Sequence, residues 1–258
     1  MNDLFWMDAG VGRPVVLLHG GFLDHRMWED QTPVLATGHR VIVPDARGHG
    51  RSANATGPYR LTDDLAALLR HLDTGPAVLV GLSMGGSIAI DTALEHPDLV
   101  SAVVVSGVGT SEPYFTDPWT IRAMAAWHGA MAAGDLDASI DSFLLFAAGP
   151  HRALDDVDPR VTGRLRQMAE DTMAKHSPGE PHHLAPVTGT WERLPTISVP
   201  VLAVNGALDS PDHLGMAARL IDAVPDGRAR AVDGAAHYPN MERPNAFNAI
   251  IDDFLRTV

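Results

Sequence analysis

Short runs rich in valine and leucine recur along the chain with helical patterns between them. The runs are Pro14-Val15-Val16-Leu17-Leu18-His19, Arg40-Val41-Ile42-Val43-Pro44, Ala77-Val78-Leu79-Val80, Ala102-Val103-Val104-Val105, Val201-Leu202-Ala203-Val204 and Ala229-Arg230-Ala231-Val232. Strands this continuously apolar are buried on both faces, which predicts a mostly parallel sheet covered by helices. Apolar positions at helical spacing over 63–69 follow Thr62 and end at Gly75-Pro76. Further helices are predicted over 87–95, stopped by Pro97, over 212–224, stopped by Pro225, and over 244–255, with Pro244 tolerated in the first turn. Alternation of this kind predicts an α/β fold.

Between Gly107 and Ser198 the alternation fails. No strand is evident there, and helical patterns fall near 119–133, 137–146 and 160–175. A structureless loop of about 90 residues is not expected inside an alternating fold. The economical reading is a core formed by 1–109 and 198–258, with 110–197 as a helical cap over one edge of the sheet.

Composition narrows the function classes. With 258 residues, 45% hydrophobic and 20% charged, the chain is long enough for a large core and does not read as disordered. A formal charge of −13 disfavours a nucleic-acid partner and polyanionic substrates, which leaves a small molecule as the expected partner of the chemistry described below. The absence of cysteine excludes disulfides, thiolate zinc sites and a cysteine nucleophile. No apolar stretch reaches the roughly 18 residues of a membrane span. The start, Met1 to Trp6, lacks the basic and long apolar regions of a secretory signal, so a cytoplasmic location is expected.

The sharpest chemical feature is Gly81-Leu82-Ser83-Met84-Gly85-Gly86. It follows a strand and opens a helix, the setting a nucleophile elbow requires, with Ser83 at a strained turn as the nucleophile. The helix start favours developing negative charge, so the Met84 amide is a natural oxyanion donor. A second donor is expected from His19-Gly20-Gly21-Phe22, at the end of another strand; Gly21 is preferred and Phe22 held in reserve. A serine hydroxyl needs a base, and the base needs an orienting carboxylate. His237 lies in a small-residue loop after the last strand, on the same edge as Ser83. Asp209 follows the strand before it, giving the chain order Ser, Asp, His; Asp212 is the substitute. Asp233 is too near His237 in sequence to turn back onto it. His96, His182 and His183 are expected to face solvent or lie near substrate.

Together with Asp45-Ala46-Arg47-Gly48-His49-Gly50-Arg51-Ser52, these residues resemble the α/β-hydrolase superfamily, from about Leu17 to the C-terminus. Arg26-Met27-Trp28, Gly57-Pro58-Tyr59 and the stretch from His237 to Phe247 are similar to 3-oxoadipate enol-lactonases and small carboxylesterases. The resemblance implies an α/β-hydrolase fold with Ser83, Asp209 and His237 as triad, Met84 and Gly21 amides as oxyanion hole, and a structural role for 45–52. The expected reaction is cleavage of an ester or lactone of a small, largely apolar substrate through an acyl-enzyme, with no metal or organic cofactor. Serine at the nucleophile position sets aside haloalkane dehalogenases and epoxide hydrolases, which resemble this fold but use aspartate. One departure from the enol-lactonases stands out. Their substrates carry carboxylates, which would favour a basic pocket, whereas several of the basic residues of 110–197 (Arg122, Arg152, Arg160, Arg164, Arg166, Lys175 and Arg193) are at the helical spacing of a solvated face. The aromatic and methionine residues of the same segment are expected mainly to pack, with about one in three reaching substrate. Carbon–carbon bond hydrolysis, cofactor-free peroxidation or a non-hydrolytic biosynthetic step are the alternatives on this scaffold, and a ligand receptor is the alternative outside enzymes.

Overall fold

A computed structural model describes residues 3–177 and 179–258. Met1 and Asn2, on which part of the signal-peptide reading rests, and Pro178, inside the expected cap, lie outside the described residues. The chain opens with β1 (Trp6–Ala9), an edge strand that the hydrophobic pattern does not reveal, and continues through β2 (Arg13–Leu18), α1 (Thr32–Leu35), β3 (His39–Pro44) and α2 (Leu61–His71). It then runs through β4 (Ala77–Leu82), α3 (Met84–Glu95) and β5 (Val100–Ser106). Among the described residues four α-helices follow without a strand: α4 (Pro118–Ala133), α5 (Leu136–Ala148), α6 (Pro159–Met173) and α7 (Thr190–Arg193). β6 (Val201–Gly206), α8 (Pro211–Ala223), β7 (Gly227–Val232), α9 (Pro239–Glu242) and α10 (Pro244–Leu255) complete the chain.

Local chemistry explains the helix boundaries. Asp63 and Asp64 in the first turn of α2, and Arg70 and His71 in its last, complement the helix dipole. Asp117, Asp135 and Asp158 cap α4, α5 and α6 by accepting from first-turn amides. Alternating strand residues feed two cores. Val15, Leu17, Val78, Val80 and Val104 join Trp28 and Phe247 on one face of the sheet, and Leu144, Leu165 and Met168 of α5 and α6 extend that cluster. Val16, Leu18, Leu79, Val103 and Val105 pack with Leu68, Ile90 and Leu220 on the other.

The seven strands lie in the order β1-β3-β2-β4-β5-β6-β7. Strand β1 runs antiparallel to β3, and the other pairs are parallel. Parallel pairing puts the carboxyl ends of β2, β4, β5, β6 and β7 along one edge, where an open α/β sheet collects its functional loops. No described helix is long and apolar enough to cross a membrane.

Candidate active site

Ser83 leaves the end of β4 with φ 53° and ψ −116°, a conformation that costs a non-glycine residue on the order of 1–3 kcal/mol. The turn holds because the Ser83 amide donates to the Ser106 carbonyl at 2.8 Å and the Ser87 amide donates to the Ser83 carbonyl at 3.0 Å. A Cβ at Gly85 would sit 2.0 Å from the Leu18 carbonyl oxygen, so only glycine lets the start of α3 press against β2. Ser83 occupies the N-cap position of α3 yet makes no capping hydrogen bond with its side chain. Its hydroxyl is therefore uncommitted, beside first-turn amides that have no intrahelical acceptor.

On the same edge, the His237 Nδ1–H donates to Asp209 Oδ2 at 2.8 Å. Asp209 is fully buried and its other oxygen accepts from the Ser210 amide at 2.7 Å and from His213 Nδ1 at 3.0 Å. Burial favours the neutral acid, but the His237 and His213 imidazoles hold the Asp209 carboxyl well below the usual carboxylate range. Burial likewise lowers the His237 pKa, and the Asp209 charge opposes it without cancelling it. At neutral pH His237 is thus uncharged, with Nδ1 protonated against the carboxylate and Nε2 left as a free acceptor. Gly107, with φ 63°, leaves room for the ring: a Cβ there would lie 2.5 Å from His237 Cε1.

His213 is a site residue that the sequence pattern does not single out. Its ring stacks on His237, with centroids 4.4 Å apart and planes 29° from parallel. The available signal is local: Ser210 caps α8 by accepting from the His213 amide, which fixes the histidine in the first turn above Asp209.

After β2, His19 anchors the loop of Gly20, Gly21 and Phe22. Its Nδ1–H donates to the Gly20 carbonyl at 2.8 Å and its Nε2 accepts from the Ala46 amide at 2.9 Å. Gly21 has open space on the side a Cβ would occupy, whereas Phe22 adopts φ 62° and points its ring against Trp127 and Phe143. Two cavities meet at Ser83, Met84, Phe115 and His213. One, of about 180 Å³, takes in Gly21, Phe22, Trp127, Phe143, Phe146 and His237. The other, of about 330 Å³, runs along α3 to Asp91.

The sequence profile described as the Alpha/beta hydrolase family matches residues 15–250. The chain belongs to this family. A curated relative, the pimeloyl-[acyl-carrier protein] methyl ester esterase of Edwardsiella ictaluri, is 32% identical over 98% of this chain and 98% of its own. Among solved structures, a bromoperoxidase from Bacillus anthracis is similar at 27% identity and a TM-score of 0.80, covering 98% of this chain and 95% of its own. The enol-lactonase from Burkholderia xenovorans LB400 is similar at 25% identity and a TM-score of 0.73, covering 98% and 96%.

Other residues of this α/β-hydrolase fall into structural roles. Asp212 does not touch His237; it accepts from the Thr116 and Asp117 amides and fixes the approach to α4. Asp233 is exposed, as is His182, and His96 pairs with Asp63 at 3.0 Å. Asp45 is a buried bracket that accepts from the His25 amide at 2.7 Å and the Arg51 amide at 2.8 Å, in keeping with a structural 45–52 stretch. Asp209, His213 and His237, and separately Asp24, His25 and Asp45, bring potential cation ligands within 4.8 Å of one another. In the first group both Nδ1 atoms are already engaged by the carboxylate, and in the second Asp24 is engaged by Arg26. Of the arginines between β5 and β6, Arg152 pairs with Glu242, Arg164 with Asp30 and Arg166 with Asp141, and none of these lines either cavity. Among the aromatic and methionine residues of that segment, Phe115, Met124, Trp127, Phe143 and Phe146 line the smaller cavity, whereas Met168 and Met173 are core.

Proposed function

We propose that this α/β-hydrolase cleaves a carboxylic ester or lactone of a small, largely apolar substrate through an acyl-enzyme. Ser83 Oγ attacks the carbonyl while His237 Nε2 takes its proton, and Asp209 orients and stabilises the imidazolium. The Met84 and Gly21 amides hold the tetrahedral oxyanion, with the Phe22 amide as the neighbouring donor. Collapse breaks the C–O bond, and His237 returns its proton to the leaving oxygen. Water, deprotonated by His237, then attacks the acyl carbonyl; the acyl–Oγ bond breaks, His237 returns the proton to Ser83 Oγ and the acid leaves. Every proton in this cycle moves between protein groups, substrate and water, so the reaction calls for no cofactor and no partner beyond the small molecule. Residues 110–197 act as the cap that excludes bulk water from the two cavities.

The observation that carries this reading is the uncommitted Ser83 hydroxyl at a strained elbow, sharing one aromatic cavity with a neutral, carboxylate-oriented His237. The esterase and lactonase names among its relatives support it. The experiment is hydrolysis of p-nitrophenyl acetate, p-nitrophenyl butyrate and a set of small lactones, wild type against Ser83→Ala. A fall of roughly a thousandfold or more is expected. Equal rates in both proteins would remove Ser83 as nucleophile. A second reading, cofactor-free peroxidation on the same residues, is favoured by the similarity to a bromoperoxidase. Halogenation dependent on peroxide, with ester turnover absent, would select it.

A further inference from the structure

The larger cavity has an unusual far end. From Ser83 it follows one face of α3, where Met84, Ser87, Ile88 and Asp91 recur at helical spacing. Phe115, Leu184, Pro186, Val187 and Met216 make the opposite wall apolar. The end of the cavity is polar and unsatisfied. Asp91 is 4% exposed and its Oδ1 has no hydrogen-bond partner among the described residues; Ser111 Oγ and Thr62 Oγ1, of residues that line the same cavity, have none either. Arg60, which also borders this cavity, is committed to Glu95 at 2.9 Å. Burial pushes the Asp91 carboxyl up to about 6, with Glu112 and Glu95 adding to the rise; Ser111 lies close enough to draw it down, but its hydroxyl does not form a hydrogen bond with Asp91 Oδ1.

A buried carboxyl oxygen without a donor is costly, and native proteins rarely leave one. A ligand that brings a donor removes that cost. The two cavities also divide the substrate. His237 must return a proton to the leaving oxygen, and it lines only the aromatic cavity, so the alcohol belongs there and the acyl chain along α3. The stretch from Ser83 to Asp91 rises roughly 12 Å at about 1.5 Å per residue, which suits a medium-length acyl chain.

We propose that the α3 cavity is the acyl subsite and that Asp91, with Ser111 beside it, selects acyl chains that carry a hydroxyl or amine donor at their far end. This rests on the reading of Ser83 and His237 above. A chain ending in a methyl group leaves Asp91 buried and unpaired, and one ending in a carboxylate meets a like charge.

The test compares kcat/KM for p-nitrophenyl esters of acetate, octanoate, ω-hydroxyoctanoate and ω-aminooctanoate. Wild type should favour at least one donor-bearing chain over octanoate by roughly tenfold or more, the scale of a hydrogen bond to a charged group. Within Asp91→Leu the ratio should invert in favour of octanoate. Asp91→Asn, which keeps the side-chain shape, should retain a hydroxyl preference and lose an amine preference. An advantage for the amine marks a cationic substrate, and an advantage for the hydroxyl a neutral one; either supports the subsite. Acetate is too short to reach Asp91 and reports on Ser83 alone. Normal acetate turnover with no donor preference in wild type, or a preference that survives Asp91→Leu, overturns the subsite by itself. No acetate turnover in wild type overturns the reading of Ser83, and the subsite falls with it.

Discussion

Two helices border the space around Ser83, and they are held in opposite ways. Helix α3 is built into the sheet: Gly85, Gly86, Ile88, Ala89, Ile90, Asp91, Thr92 and Ala93 are all buried, and its first turn touches the β2 backbone. Helix α4 spans 16 residues, of which only Thr120 and Ala123 are buried, while Ile121 is 47% and Met131 40% exposed. Yet α4 supplies Met124 and Trp127 to the aromatic cavity. The lesson is a division of labour. The proposed nucleophile is placed by backbone pressed on backbone, which permits little movement. The pocket wall is supplied by a helix with little buried surface to lose, and such elements open at low free-energy cost.

The same substitution in the two helices sharpens this contrast most. Gly85→Ala forces a Cβ to within 2.0 Å of the Leu18 carbonyl oxygen and 2.7 Å of that of His19. Backbone overpacking of this kind costs on the order of 3 kcal/mol and displaces the elbow. A fall in melting temperature of roughly 6–12 °C is expected, together with a loss of at least about a hundredfold in kcat/KM. Unchanged melting and turnover would mean that the elbow is as loosely held as α4.

His237 reports on the wall between the helices. Burial holds its pKa below the ordinary value of 6.5. As the proposed base it must be neutral, so kcat/KM for p-nitrophenyl acetate should stay level down through pH 6.5 and fall about tenfold per unit only below the lowered pKa. The stability linkage has the same sign. Below 6.5 the unfolded chain takes up the proton that the folded site refuses, so stability declines as pH falls from there. An acid limb at or above 6.5 would mean that α4 admits enough water, or that Asp209 exerts enough charge, to cancel the burial.

The smallest effect is expected at Gly129, in the interior of α4, where a β-carbon would find nothing within 4 Å. Gly129→Ala should stabilise by about 0.5–1 kcal/mol, through helix propensity and a less free unfolded chain. Chemical denaturation reads this directly. A destabilised variant would show that α4 packs more closely than its exposure implies.

Much of this is legible in the residues. Ser83 stands out because a strand, a glycine-bracketed turn and a helix follow one another in sequence, and each has a local signature. Asp209 and His237 follow from their places just after the last two strands of a parallel sheet, whose carboxyl ends share one edge. Other features have no such signature. β1 is only Trp6–Ala9, half-buried at its ends and exposed between them at an edge of the sheet, too short to stand out. His213 looks like any histidine in an amphipathic helix until the first turn of α8 swings it over the His237 ring. Asp91 reads as one more position of α3, because the lack of a partner for its buried oxygen is a property of everything around it.

Sequence alone therefore determined the α/β class and pointed to the sheet edge and the candidate residues Ser83, Asp209 and His237, since strand runs, turn glycines and helix starts act over a few residues. Only the tertiary structure decided that two imidazoles share Asp209, that the space beside Ser83 splits into an aromatic and a helix-lined cavity, and that the latter ends on an unpaired carboxyl. Those features depend on packing among segments far apart in the chain, where burial and hydrogen-bond satisfaction are settled jointly by neighbours that no local pattern names.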